Sequence, residues 1–119
     1  MNQNNIFLRC LIIVKEGRRH RYIGFVVKKY DDSFLIQKKD MINVLRSKCR
    51  NMFSKECKEL GIYLTRFDGE TGIIKCNHIE KEKTIDLLKS IKKISSRKIE
   101  IETLGTSGTI KALEKKHLN

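Results

Sequence analysis

Ile62-Tyr63-Leu64-Thr65-Arg66-Phe67-Asp68-Gly69-Glu70-Thr71-Gly72-Ile73-Ile74-Lys75-Cys76-Asn77 is a pair of strand-sized runs around a turn. Aromatic and branched side chains fill both runs, and the connection Asp68-Gly69-Glu70-Thr71-Gly72 has the chemistry of a hairpin. On its N-terminal side, Met41, Val44, Leu45, Cys49, Met52 and Phe53 recur at three- and four-residue steps, which is one apolar helix stripe. Lys39, Arg46 and Arg50 fall on the opposite face, and Gly61 marks the stop. Ahead of that helix Asp31-Asp32-Ser33 breaks the pattern, and residues 22–29 read as a strand with Ile23, Phe25 and Val27 on one face. Residues 6–14 alternate poorly and read as a strand or an irregular segment behind a polar, frayed start.

On the C-terminal side a second helix is expected over 80–94, burying Ile85, Leu88 and Ile91. Ser95-Ser96 opens a loop, and residues 98–103 form a fourth strand with Ile99 and Ile101 inward and Glu100 and Glu102 outward. Gly105-Thr106-Ser107-Gly108 then leads into a short basic helix carrying Ile110 and Leu113. The order strand, helix, strand, strand, helix, strand is the split βαβ arrangement of ferredoxin-like and RNA-recognition folds. The expected fold is therefore α+β: a four-stranded antiparallel sheet backed by two helices, plus a C-terminal helix. A length of 119 residues fits one domain. It divides into an N-terminal extension and basic loop (1–20), the βαββαβ core (21–104), and the glycine-rich turn with the last helix (105–119).

Charge is the strongest compositional signal: 26 Lys and Arg against 14 Asp and Glu leave a net +12. Such a field attracts polyanions, and affinity for nucleic acid then arises from counterion release and falls steeply with salt. A Lys-rich composition of thermal origin would raise Glu along with Lys, and here the acids lag. No apolar run approaches the roughly 20 residues that span a bilayer, and the positive charge is not gathered on one amphipathic helix. A soluble, cytoplasmic protein is expected, with no membrane partner.

Four cysteines, Cys10, Cys49, Cys57 and Cys76, form no C-x-x-C pair and match no common zinc spacing. Cys49 lies on the helix stripe and Cys76 follows Ile74 at strand spacing, so both read as reduced core residues. No metal site is assigned. The histidines His20, His78 and His117 complete no nucleophilic constellation, so no catalytic residue is assigned either.

Three stretches carry candidate RNA contacts. Arg18, Arg19 and Arg21 crowd a basic loop around His20, and the arginine fork matches phosphate oxygens. Tyr22 follows as the better-exposed aromatic, whereas Phe25 shares the core face; the third strand has no aromatic where base stacking would need one. Arg46 and Arg50 line the outer face of the first helix. In the last stretch Ser107 or Thr106 can cap the final helix, whose start at Ser107, Gly108 and Thr109 would offer N–H groups to a phosphate, with Lys111, Lys115 and Lys116 downstream. The Walker spacing is absent. The basic loop also has a plainer reading as a solvated loop, and the last stretch as an ordinary capped helix.

Arg21-Tyr22-Ile23-Gly24-Phe25, Thr71-Gly72-Ile73-Ile74-Lys75-Cys76-Asn77 and, above all, Thr103-Leu104-Gly105-Thr106-Ser107-Gly108-Thr109-Ile110-Lys111 occur in this order. Together they resemble the archaeal ribonuclease P protein component 2 family, related to a small subunit of the eukaryotic nuclear enzyme, over residues 21–116. The resemblance implies a protein subunit of a ribonucleoprotein that removes the 5′ leader from precursor tRNA. It implies that the ribonuclease P RNA carries the active site and its magnesium, with no cofactor on the protein. It also implies a TIM-barrel-like protein partner, component 3, in an assembly that can be two-plus-two. Relatives often begin with a proline-containing segment; residues 8–15 hold none, so N-terminal contacts are not carried over. Two other readings stand beside this one. A free-standing RNA-binding module of ribosome or tRNA metabolism would need no protein partner, and a small ferredoxin-like hydrolase or transferase would need an apolar pocket with convergent polar groups.

Overall fold

The hairpin that anchors the sequence reading is β2 (Tyr63–Phe67) and β3 (Thr71–Asn77) in a computed structural model that describes residues 19–30 and 34–118. Asp68 fixes the turn: its Oδ1 accepts from the amides of Glu70 (2.9 Å) and Thr71 (2.7 Å). These two bonds hold the carboxyl below its ordinary range, Thr71 contributing more than Glu70. Before the hairpin come β1 (His20–Lys29), α1 (Lys38–Phe53) and a 3-10 turn (Cys57–Leu60). After it come a second 3-10 turn (His78–Glu80), α2 (Lys81–Ser90), β4 (Lys93–Ile94) and β5 (Arg97–Ser107). The chain closes with α3 (Ile110–Leu113), which runs on as a π turn (Glu114–Leu118). Arg18, Cys10, residues 6–15 and the break at Asp31-Asp32-Ser33 lie outside the described residues.

All neighbouring strands are antiparallel, in the order β2-β3-β1-β5-β4. This is the expected split βαβ sheet with a fifth, two-residue strand added at one edge. Its helix-side face forms the core. Ile23, Phe25, Val27, Ile74, Cys76, Ile99 and Ile101 meet Met41, Leu45 and Cys49 of α1 and Leu87 and Leu88 of α2, all buried. One row of this face has a particular logic. Phe25 and Phe67 both pair with Gly72 across the ladder, one from each side. The two rings stack over the glycine, with centroids 6.1 Å apart and planes 16° from parallel.

The other face has a small core of its own. Gly24 pairs with Gly105 on one side and with Ile73 on the other. Leu113 of α3 seats on this low spot, its Cδ2 3.5 Å from where a Gly24 Cβ would stand, and both Leu113 and Ile73 are fully buried. An ion pair from Arg66 to Glu114 ties the segment down a second time.

Several element ends differ from expectation. The first helix stops at Phe53 and not at Gly61, because Ser54 takes the left-handed region (φ 56°) with its N–H on the Arg50 carbonyl. A separate turn follows, and it is this turn that Gly61 (φ 69°) ends. Met52, expected on the buried stripe, is 41% exposed at the helix end. The second helix is shorter than 80–94, since Ile91 is already extended and Lys93 and Ile94 pair with Lys98 and Arg97. Ser95 and Ser96, both at positive φ (53° and 66°), make that two-residue turn. Finally, the stretch expected as a glycine-rich turn is strand through Ser107. A bulge at Leu104 resets the register, so Gly105, Thr106 and Ser107 pair with Gly24, Ile23 and Tyr22.

Cys49, Cys57 and Cys76 are free thiols. The sulfurs of Cys49 and Cys57 lie 2.7 Å apart, and Cys57 also reaches the Leu45 carbonyl at 3.4 Å. Burial is the main cause that pushes Cys49 up to about 12, with the Cys57 contact adding to it. Ahead of α1, Ile36 is buried and Leu35 is 85% exposed.

Candidate nucleic-acid interface

The ladder brings three separate stretches of sequence to one end of the sheet. Arg21 and Tyr22 arrive on β1 with Arg19 just before it, His78 follows β3, and Ser107 ends β5 beside Tyr22. The amide of His78 donates to the Arg19 carbonyl (2.9 Å), which closes this end. Arg21 spans it: one guanidinium nitrogen donates to the His20 carbonyl (3.0 Å), and the same nitrogen lies 3.8 Å from where a Gly108 Cβ would be. The basic loop and the glycine-containing segment, more than 80 residues apart in sequence, are thus neighbours.

Electrostatics at this end follow from crowded cations. Arg21 is the main cause that lowers the His78 pKa, followed by burial, Arg19 and Lys81. His20 is lowered by burial first and by Lys75 second. Both imidazoles are therefore biased to the neutral form, and neither Nδ1 has a hydrogen-bond partner.

The other expected contacts are placed differently. Thr109, not Ser107 or Thr106, caps α3: its hydroxyl accepts from the Ala112 amide (3.1 Å), while Ser107 Oγ accepts from the Thr109 amide (3.4 Å). The cap moved because Thr106 and Ser107 belong to the strand. α3 has only four residues, so its few N–H groups make no developed anion site. Lys111, Lys115 and Lys116 are exposed on this segment, above the face that Leu113 covers. Arg46 and Arg50 sit on the opposite layer of the molecule. They border a groove of about 390 Å³ between α1 and β2, lined by Ile42, Leu45, Cys57, Ile62, Leu64 and, on the edge strand, Tyr63. Arg50 is held there by Glu56 (3.0 Å). The structure gathers Arg19, Arg21, Tyr22, Ser107 and Gly108, and leaves the α1 arginines apart from them. Arg18 lies outside the described residues.

Sequence reasoning missed Lys75, Tyr63, His78 and Lys81 at this end. Tyr22 and Tyr63 both pair with Lys75, so all three side chains share one face of the sheet. Period-two counting from the hairpin turn would set Leu64 opposite Lys75. The bulge at Thr65 moves Tyr63 there instead. Among the described residues no three His, Cys, Asp or Glu side chains gather as metal ligands would, and no helix is long and apolar enough to cross a membrane.

A split βαβ sheet with both long helices on one face defines the RNA-recognition class of α+β folds. Within that class the chain belongs to the Rpp14/Pop5 family, whose model matches residues 8–118. It is similar to ribonuclease P protein component 2 of Archaeoglobus fulgidus, 31% identical over 103 residues that cover 84% of this chain and 89% of that protein. In three dimensions it matches a chain of the yeast ribonuclease MRP cryo-EM structure with a TM-score of 0.61. That match covers 77% of this chain and 76% of the other at 15% identity, and so speaks for the fold alone. The chain is a ribonuclease P/MRP protein subunit, part of a ribonucleoprotein.

Proposed function

We propose that this chain is a non-catalytic subunit that helps a catalytic RNA remove the 5′ leader from precursor tRNA. The observation that carries this reading is the cluster at the sheet end. The His78 amide on the Arg19 carbonyl and Arg21 beside Gly108 bring cationic residues from separate stretches together there, in a chain of net charge +12. A catalytic RNA must bring its own phosphates close together and then bind a substrate that is also a polyanion. Cations fixed on a protein surface offset part of that repulsion, so less magnesium is needed to fold the RNA and to hold substrate. In this reading the magnesium and the chemistry belong to the RNA. The protein partner is the TIM-barrel-like component 3, in a two-plus-two assembly, and the exposed Leu35 and Ile79 (85% and 77%) leave apolar surface for such contacts.

The test is precursor-tRNA cleavage by an archaeal ribonuclease P RNA at limiting magnesium, with component 3 present and this chain added or omitted. Stimulation that depends on this chain is expected, and replacing Arg18, Arg19 and Arg21 together by Ala should raise the magnesium requirement. An unchanged magnesium titration would sink the electrostatic mechanism. No stimulation, together with salt-sensitive binding to unrelated RNAs, would identify a general RNA-binding module instead.

A further inference from the structure

The face of the sheet away from α1 and α2 is only partly covered by α3. Its residues can be read in rows across the strands, roughly 7 Å apart along them. Leu113 sits over the row Arg66–Ile73–Gly24–Gly105. The next row toward the basic end is Tyr63–Lys75–Tyr22–Ser107, and beyond it His20 pairs with Asn77. The row thus alternates aromatic, cation, aromatic, hydroxyl across four strands, and none of the four is acidic. Tyr63 is 50% exposed on the edge strand, while Tyr22 and Lys75 are half-buried.

Directly paired residues lie about 5 Å apart, so the two tyrosines, each one strand from Lys75, stand about 10 Å from one another. That is too wide for one continuous stack of two bases, whose step is about 3.4 Å. Each ring can therefore hold its own base, with the ammonium group of Lys75 between them where the connecting phosphate would run. Duplex RNA hides its base faces, so such a row serves only nucleotides that are already unpaired. A protein partner would find little apolar surface here, since Lys75, His20 and Ser107 surround the rings and Lys111 and Lys116 are exposed on the adjoining segment. The charge is complementary to RNA.

We propose that Tyr22 and Tyr63 form a stacking platform for two unpaired nucleotides of RNA, with Lys75 holding the phosphate that joins them. This rests on the RNA-binding reading above and adds the kind of RNA element the sheet face takes. It also places the aromatics on β1 and the edge strand β2, leaving the central β3 to supply the cation.

The test uses the full chain with two probes, a short fluorescent oligouridylate and a perfect RNA duplex of equal total charge, at fixed salt. Base–aromatic stacking contributes roughly 1–3 kcal/mol per base. Replacing both tyrosines (Tyr22→Leu with Tyr63→Leu) should weaken oligouridylate binding at least tenfold and leave duplex binding within twofold. The Phe pair (Tyr22→Phe with Tyr63→Phe) should keep both affinities, and Lys75→Ala should lower the salt dependence of oligouridylate binding by about one phosphate contact. Thermal melts of each variant report whether the fold is retained, and the Phe pair keeps the test meaningful if the Leu pair unfolds: a tenfold loss of its oligouridylate affinity with duplex binding kept would overturn the platform. A folded Leu pair with unchanged oligouridylate affinity overturns the platform and leaves the RNA-binding reading standing. Failure of the unmodified chain to bind either probe or the ribonuclease P RNA overturns both.

Discussion

Gly72→Ala tests the row on which the core is built. A Cβ at this position would stand 2.5 Å from Phe25 Cζ, 2.9 Å from Phe25 Cε1 and 2.9 Å from the Arg66 carbonyl oxygen. Non-bonded carbons rest at about 3.5–4.0 Å, so the Phe25 ring would have to withdraw by about 1 Å. It has nowhere to go: Phe25 is fully buried and stacked on Phe67, and the Arg66 carbonyl is backbone of the adjacent strand. Overpacking of this kind costs about 1–3 kcal/mol, and the rigid carbonyl puts this site at the upper end. Reduced freedom of the unfolded chain returns about 0.4–1 kcal/mol. The net expectation is a loss of about 2–3 kcal/mol, or a fall in Tm of roughly 8–12 °C for a domain of this size. Urea unfolding of the full chain followed by far-UV circular dichroism measures it. In a Phe25→Leu background, where the ring clash is gone and the Arg66 carbonyl contact remains, the same substitution should cost about 1 kcal/mol less, a coupling that a double-mutant cycle reports. An unchanged midpoint, or an equal cost in both backgrounds, would refute the account of the stacked row.

The turn between β4 and β5 holds two serines at positive φ, a conformation that costs L-residues about 1–2 kcal/mol each. Changing them to the preferred pair, Ser95→Asn with Ser96→Gly, should raise stability by about 1 kcal/mol in thermal melts, and a drop would show that the turn is unstrained. At the other hairpin, Asp68→Asn should flatten the acid limb of the stability profile. The folded carboxyl lies below 3.8, so its contribution is complete above that pH and is lost as pH falls through the folded value. Because Asp68 is exposed, the loss at neutral pH should stay near 0.5–1 kcal/mol, and urea midpoints that track the unmodified chain from pH 5 to pH 2 would contradict this.

The architecture was legible because its signals are local. Asp68-Gly69 announces a turn, Met41, Leu45 and Cys49 announce a helix face, and Ile23, Phe25 and Val27 announce a strand. The element ends were less legible, for reasons that are not local. Ser54, Ser95 and Ser96 adopt left-handed backbone without the Gly or Asn that usually marks it, so the first helix was read too long and β4 was missed. The bulges at Thr65 and Leu104 change which face each residue meets. They are what put Tyr63 beside Lys75 and turned an expected glycine loop into strand. The arginines of the basic loop could be named from composition. That Arg19 meets His78 and Arg21 meets Gly108 is a product of the β1 ladder, which joins residues far apart in the chain.

Leu113 on Gly24 has one more consequence. A basic tail hanging free would lose roughly 1–2 kcal/mol of backbone entropy per residue when RNA first fixed it. Here one leucine, set where two glycines leave the sheet bare, and the Arg66–Glu114 ion pair do that fixing during folding. Lys111 and Lys116 are then exposed on a segment that is already fixed to the sheet. In the proposed RNA-binding role such a segment would work as a ruler and not as a lasso, because its backbone is ordered by folding and not by the ligand.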